Sequence, residues 1–204
     1  DVQSTKKCLK DLGVEFWKDK TSLKVRGVGT KGFKEPVKEL DAGNSGTTAR
    51  LLSGLLAAQN FESRIIGDES LSKRPMKRII EPLREIGAEI KSTENFTLPL
   101  EIYPSKKIKN IEYKMQVASA QVKSAIILAG LHADETSVII EDSQTRNHTE
   151  KMLGLKVEES KEGRKIYFSK KDYPEPKNYF VPSDISTASF FIVLTLLIKN
   201  SKLK

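Results

Sequence analysis

The chain reads as a mixed α/β protein of the α+β type, folded as a pseudo-threefold repeat around buried parallel helices. Three observations predict this. Helical and alternating hydrophobic periods succeed one another along 204 residues. A helix–glycine–strand phrase recurs, LKDLGVEF around Gly13 and LREIGAEI around Gly87, and such self-similarity marks a repeat. Three apolar helical stretches also open on small, capping residues, near Thr47–Gln59, Ser119–Ala133 and Ser186–Lys199.

Asp1 to Leu12 places Val2, Cys8, Leu9 and Leu12 on helical spacing and stops at Gly13. VEFW and SLKVRGV alternate apolar with polar residues around a DKT turn, which predicts a hairpin. A Lys/Gly/Pro connection then leads to DAGNSGTTARLLSGLLAAQ, Asp41 to Gln59, turn-forming in its first half and helical in its second. FESRIIG is a strand, and after a polar loop Pro75 opens the helix PMKRIIEPLREIG. Pro82 should kink that helix or sit near its first turn. AEIKS, LPLEIYP and IEYKMQ are strands, followed by the second apolar helix, VASAQVKSAIILAGLHA. A third copy begins at TRNHTEKMLGLKVEES and runs through the strands RKIYFSK and NYFVPS to DISTASFFIVLTLLI. The three repeats fall at about 1–60, 61–135 and 136–204.

The three apolar helices lack a charged face, and helices hydrophobic nearly all round are buried. Equivalent positions in three repeats bring their N-termini to one end of the domain. Partial positive dipole ends and unpaired N–H groups gather there, which suits an anion. Gly43 and Gly46 leave the backbone approachable, while Asn44, Ser45 and Thr47 are favoured caps. The pattern is not a nucleotide P-loop, because no Gly-Lys-Ser/Thr follows. The expected polar lining is Asn44, Ser45, Gly46 and Thr47, then Ser119, Ala120, Gln121 and Lys123, then Ser183, Asp184 and Ser186. Full charge should come from Arg74, whose planar fork matches phosphate or carboxylate. Ser119 and Gln121 equally serve as plain caps, and the Arg74 loop equally as a solvated basic turn. Arg50, inside a buried helix, needs a partner. Asp184 is the one expected, as a structural pair.

Composition narrows the classes further. Apolar and charged fractions of 38% and 30% describe a globular chain. A net charge of +8 suits small polyanions or a lysine-rich solubilising surface, and leaves a basic nucleic-acid-binding module as an alternative. The lysines are scattered and the aromatics do not interleave with them, which speaks against nucleic acid. One cysteine excludes a disulfide framework and fits a reducing cytoplasm. The longest apolar run, Phe190 to Ile198, is too short to span a bilayer, so no membrane partner is expected. His132 and His148 lack further ligands at metal spacing, no Ser-His-Asp arrangement stands out, and Cys8 reads as a small buried hydrophobe.

Five segments, GNSGTTARLLSGLLA, GDESLSKRPM, ASAQVKSAIILAGLHA, SQTRNHTEKML and VPSDISTASFF, together resemble the EPSP synthase family, in its order and over almost the whole chain. The resemblance implies transfer of the enolpyruvyl group of phosphoenolpyruvate to the 5-hydroxyl of shikimate 3-phosphate, in the chorismate route to aromatic amino acids. It implies a two-lobed, inside-out barrel of six βαβαββ units, of which this chain covers most of one lobe, and a monomer that needs no metal or cofactor. By position, the Gly46 backbone would lie against phosphoenolpyruvate with Asn44 and Thr47 beside it, and Arg74 would bind that anion. Ser119, Ala120 and Gln121 would surround the shikimate 3-phosphate, with Gln121 reaching both substrates. Thr145 stands where the family has a phosphate-touching serine, and His148 at a variable position nearby. The family's N-terminal Pro-Gly-Ser-Lys-Ser loop and its second lobe, with the proton-transfer aspartate and glutamate, are expected to be missing. No catalytic residue is therefore assigned, the missing lobe is the expected partner, and weak binding without turnover is the expectation for this chain alone. A lobe like that of UDP-N-acetylglucosamine enolpyruvyl transferase is the alternative, although Cys8 is not in the context of that family's reactive cysteine.

Overall fold

The structure, a computed structural model, describes residues 1–30, 32–161, 163–182 and 184–202. The chain divides into two units, Asp1–Pro174 and Glu175–Lys204. In the first unit α1 (Val2–Asp11) precedes the hairpin β1 (Glu15–Asp19) and β2 (Ser22–Arg26). Then come β3 (Leu40–Asp41), α2 (Gly46–Leu56), β4 (Ser63–Ile66), the short α3 (Glu69–Ser72), α4 (Lys77–Glu85), β5 (Glu89–Lys91) and β6 (Leu100–Tyr103). The plan recurs in β7 (Glu112–Lys114), α5 (Ala120–Gly130), β8 (Ser137–Glu141), α6 (His148–Leu153), β9 (Lys156–Ser160) and β10 (Gly163–Phe168). The second unit holds α7 (Ile185–Leu197).

Two four-stranded sheets share one connectivity, β3-β4-β6-β5 and β7-β8-β10-β9. In each, the first pair is parallel, Leu40 facing Ile65 and Glu112 facing Val138, and the other pairs are antiparallel. A parallel pair requires a crossover, and the apolar helices α2 and α5 supply it. The phrase around Gly13 and Gly87 proves to be a helix stop. Both glycines have positive φ, +91° and +101°, as has Gly154 after α6, at +68°. After each helix the same long bond closes the last turn: Val14 N–H to Leu9 O, Ala88 N–H to Leu83 O, and Leu155 N–H to Glu150 O. This is the Schellman closure, for which an L side chain at the left-handed position is unfavourable.

The core sits where the sheets and the crossover helices meet. Leu40, Ile65, Leu100 and Ile102 come from the first sheet, Ile139, Ile166 and Phe168 from the second, and Leu52, Leu56, Ala125 and Ile126 from α2 and α5. Those two helices touch backbone to backbone: a β-carbon added at Gly54 would lie 2.2 Å from the Ala125 carbonyl oxygen. On α4 only one face is buried, through Ile79, Ile80 and Leu83, and the helix continues past the buried Pro82 to Glu85. The Cys8 side chain is fully buried as expected, and burial pushes its thiol up to about 11.

One expectation fails in the second unit. Residues 178–182, expected as a strand, form none, since a strand needs a neighbouring ladder for its backbone groups. The third apolar helix forms as expected, and within its own unit Phe190, Leu196 and Leu197 are left uncovered. A helix hydrophobic all round is buried only by apolar elements on several sides, and the described residues of its own unit provide none.

Candidate functional site

The N-terminus of α2 is built by short-range bonds. Ser45 caps the helix, its Oγ accepting the Thr48 N–H at 3.0 Å. Gly43 takes φ +57°, and its N–H donates to Asp41 Oδ1 at 2.8 Å. Asn44 is fixed at both ends of its amide: its Nδ2 donates to Asp68 at 2.8 Å, and its Oδ1 accepts Arg74 Nη2 at 2.9 Å. Asp68 also caps α3 through the Leu71 N–H, which with the Asn44 contact holds its carboxyl below the usual range. Asn44 is thereby oriented toward Arg74, two residues beyond the end of α3.

The first turns of α2 and α5 are joined directly. Gln121 Nε2 donates to Thr47 Oγ1 at 2.9 Å, and Gln121 Oε1 accepts Arg50 Nη1 at 2.9 Å. Arg50 Nη2 also donates to the Pro75 carbonyl at 3.3 Å. Arg50's partners here are thus Gln121 and Pro75. Asp184, the partner expected from sequence, belongs to the second unit, where its carboxylate caps α7, accepting the Ser186 N–H at 2.9 Å and the Thr187 hydroxyl at 2.8 Å. The Arg50 guanidinium lies over Gly46: a β-carbon there would stand 2.5 Å from Arg50 Nη1 and 3.5 Å from Arg74 Nη1. Desolvation first, then the neighbouring Arg74 and Arg78, depress the pKa of Arg50. Two guanidiniums over a bare glycine backbone, a third whose charge acts on Arg50, and two helix N-termini make a strongly anion-seeking surface.

Beside it, the start of α5 and the loop before α6 enclose an open pocket of about 390 Å³. Ser119, Ala120, Gln121, Thr145 and Arg146 are among its lining residues. Ser119 is the N-cap of α5, its Oγ accepting the Val122 N–H at 3.4 Å. Thr145 donates its hydroxyl to Glu141 at 3.0 Å. Sequence reasoning passed over Arg146 and Arg78, since nothing in their local pattern separates them from other surface arginines.

The structure thus gathers Asn44, Gly46, Thr47, Arg50 and Arg74 with Gln121, and Ser119, Ala120 and Gln121 with Thr145. Lys123 is not part of this lining: its side chain is fully buried in an ion cluster with Glu141 and Glu150. Ser183 lies outside the described residues, and Asp184 and Ser186 belong to the second unit. Among the described residues no cluster of three or more His, Cys, Asp or Glu could hold a metal, and no helix is long and apolar enough to cross a membrane.

A sequence model of EPSP synthase (3-phosphoshikimate 1-carboxyvinyltransferase) matches residues 1–204. A 3-phosphoshikimate 1-carboxyvinyltransferase of Streptococcus thermophilus is 46% identical over 209 residues, covering 100% of this chain and 48% of the relative. One from Leuconostoc citreum is 47% identical over 206 residues, covering 100% and 47%. The chain thus spans about half the length of the relatives it matches. Its fold superposes on the EPSP synthase of Acinetobacter baumannii with a TM-score of 0.80 at 44% identity, over 95% of this chain and 44% of that one. On sequence and fold together, the chain belongs to the EPSP synthase family.

Proposed function

We propose that this chain is one lobe of a cytoplasmic, monomeric enzyme that transfers the enolpyruvyl group of phosphoenolpyruvate to shikimate 3-phosphate. The lobe is a run of three repeats, about 1–60, 61–135 and 136–204, each ending on an apolar helix. The paired sheets of identical connectivity and the three glycine-stopped helices support that division. The observation that carries the functional reading is the bonded line Thr47–Gln121–Arg50, laid across Gly46 and beside Arg74. It puts an arginine-rich anion surface next to the pocket of Ser119, Ala120, Gln121 and Thr145, so two anionic substrates could lie in contact.

In this reading the pocket holds the phosphate of shikimate 3-phosphate through the α5 N-terminus, the Ser119 hydroxyl and Arg146, while Thr145, whose one proton goes to Glu141, lines the wall beside it. Phosphoenolpyruvate lies over Gly46 against Arg74, which Asn44 orients, and Gln121 touches both. Transfer forms a bond from the acceptor hydroxyl to the enol carbon and releases phosphate. What these residues contribute is placement of two like-charged molecules that would otherwise repel, plus stabilisation of charge. The proton-transfer groups are assigned to the second lobe, so the 204-residue chain should bind its ligands weakly and turn none over. The buried thiol of Cys8, raised to about 11, disfavours the alternative with a reactive loop cysteine.

Titration calorimetry of the full chain tests this. Gln121→Ala should weaken shikimate 3-phosphate binding by roughly tenfold or more, as one good hydrogen bond to an anion is worth about 1.5–3 kcal/mol. Arg74→Ala should leave that ligand alone and weaken phosphoenolpyruvate. Unchanged affinities in both variants would remove the assignment. Gly46→Ala gives a second check. Its new methyl meets the far end of a flexible arginine, so the fold should survive, while Arg50 must leave Gln121. The thermal midpoint is expected near wild type and phosphoenolpyruvate affinity reduced; wild-type affinity for that ligand speaks against Gly46 as its floor.

A further inference from the structure

Below the pocket lies a cluster that the functional reading does not use. Lys123 is 0% exposed, Glu141 1% and Glu150 3%. Lys123 Nζ lies 2.6 Å from Glu150 Oε1 and 3.1 Å from Glu141 Oε2. Arg164 of β10 adds a 2.6 Å contact to Glu141 Oε1. Arg164 also reaches the exposed Glu159 at 3.1 Å, so the buried carboxylates Glu141 and Glu150 are held by Lys123 and by a cation shared with the surface. The cluster's geography matters more. Glu141 ends β8 and Glu150 lies in the first turn of α6, so they bracket the loop that carries Thr145 and Arg146 into the pocket. Lys123 stands one turn into α5, whose opening residues form the facing wall. One ammonium therefore ties both ends of the loop to the opposite wall. Glu141 extends the tie to the pocket itself, since Oε2 accepts the Thr145 hydroxyl at 3.0 Å.

We propose that Glu141 is a positioning residue for the phosphate pocket, with Lys123 as its anchor: it fixes the Thr145 loop at the spacing from α5 that a phosphate group requires. The idea rests on the pocket binding a phosphate ester. Glu141 itself does not touch the ligand, and its effect is transmitted through Thr145.

A double-mutant cycle on shikimate 3-phosphate affinity, measured by calorimetry with the full chain, separates the outcomes. Thr145→Val should weaken binding about tenfold. Glu141→Asp keeps the cluster's charge and withdraws the acceptor by about 1.5 Å, one carbon–carbon bond. It should reproduce most of that loss, and the Glu141→Asp/Thr145→Val double variant should be no worse than Thr145→Val alone. Glu141→Asp combined with Gln121→Ala should instead be additive, because Gln121 does not act through the cluster. Glu141→Ala, which removes the acceptor outright while Lys123 keeps Glu150 and Arg164 keeps Glu159, serves as a second probe of the same cycle should Glu141→Asp fold poorly. A Glu141 variant that binds as wild type, or losses that add fully with Thr145→Val, overturns the positioning role while leaving the pocket intact. Absence of saturable shikimate 3-phosphate binding in the wild-type chain overturns the pocket assignment and this role with it.

Discussion

Lys123→Met is expected to lower the unfolding free energy by about 3–5 kcal/mol, the usual cost of removing one partner from a buried ion pair. The side chain is fully enclosed, so methionine fills its volume and the loss is electrostatic. Glu141 would keep Arg164 at 2.6 Å, but Glu150 would be stranded. Among the described residues its Oε1 is bonded to Lys123, and its Oε2 has no hydrogen-bond partner even with lysine present. A carboxylate 3% exposed then has neither water nor a counter-charge. Adding Glu150→Gln to Lys123→Met should recover roughly half the loss, because an unpaired amide costs less to bury than an unpaired charge. The exposed Lys73–Glu69 pair is the control. Its separation is the same 2.6 Å, yet both side chains are mostly in solvent, and Lys73→Met should change stability by about 0.5 kcal/mol or less. Urea midpoints at constant pH and salt measure all three, and a Lys123→Met protein as stable as wild type would refute the account.

That cluster also marks where the sequence stops being legible. The glycine stops could be read because their signal is local: Gly13 and Gly87 follow amphipathic helices and permit a backbone angle that other residues resist. The approach of α2 to α5 could be read because both helices lack a charged face along most of their length and open on caps. Long-range polar partners carry no local signal. Lys123 looked like one more polar residue near a helix start, while its carboxylates lie 18 and 27 positions onward in the chain. Arg50 announced that it needed a partner but not which one, and Gln121, 71 positions away, supplies it. The strand β3 is two residues long and gives no period to detect. For α7 the sequence states an apolar surface without saying what covers it, and the described residues of its own unit do not. An apolar surface states that it should be covered, whereas burial depends on which elements are present to cover it.

The other large effect concerns the contact that sets the site's geometry. Gly54→Ala is expected to destabilise the protein by about 3 kcal/mol, at the upper end of the range for overpacking a core. Alanine would favour an isolated helix by about 1 kcal/mol over glycine, so helix propensity alone predicts the opposite sign. Geometry decides. The new β-carbon would lie 2.2 Å from the Ala125 carbonyl oxygen and 2.9 Å from its carbonyl carbon and Cα, all main-chain atoms of α5. No rotamer change can relieve that contact, and the two helices must move apart. Gly130→Ala meets the Phe168 ring at 2.2 Å, a side chain that can give way at the cost of repacking, so its effect should be smaller. Gly54 and Ala125 stand two turns and one turn below Gly46 and Gln121 on the same pair of helices. Separation at that level loosens the Gln121–Thr47 bond and lowers ligand affinity along with stability. Thermal unfolding and shikimate 3-phosphate titration of the same preparation should therefore fall together in Gly54→Ala. A raised melting midpoint would mean that the helices are not in contact at Gly54, and a lowered midpoint with intact affinity that the Gln121–Thr47 bond does not depend on their spacing.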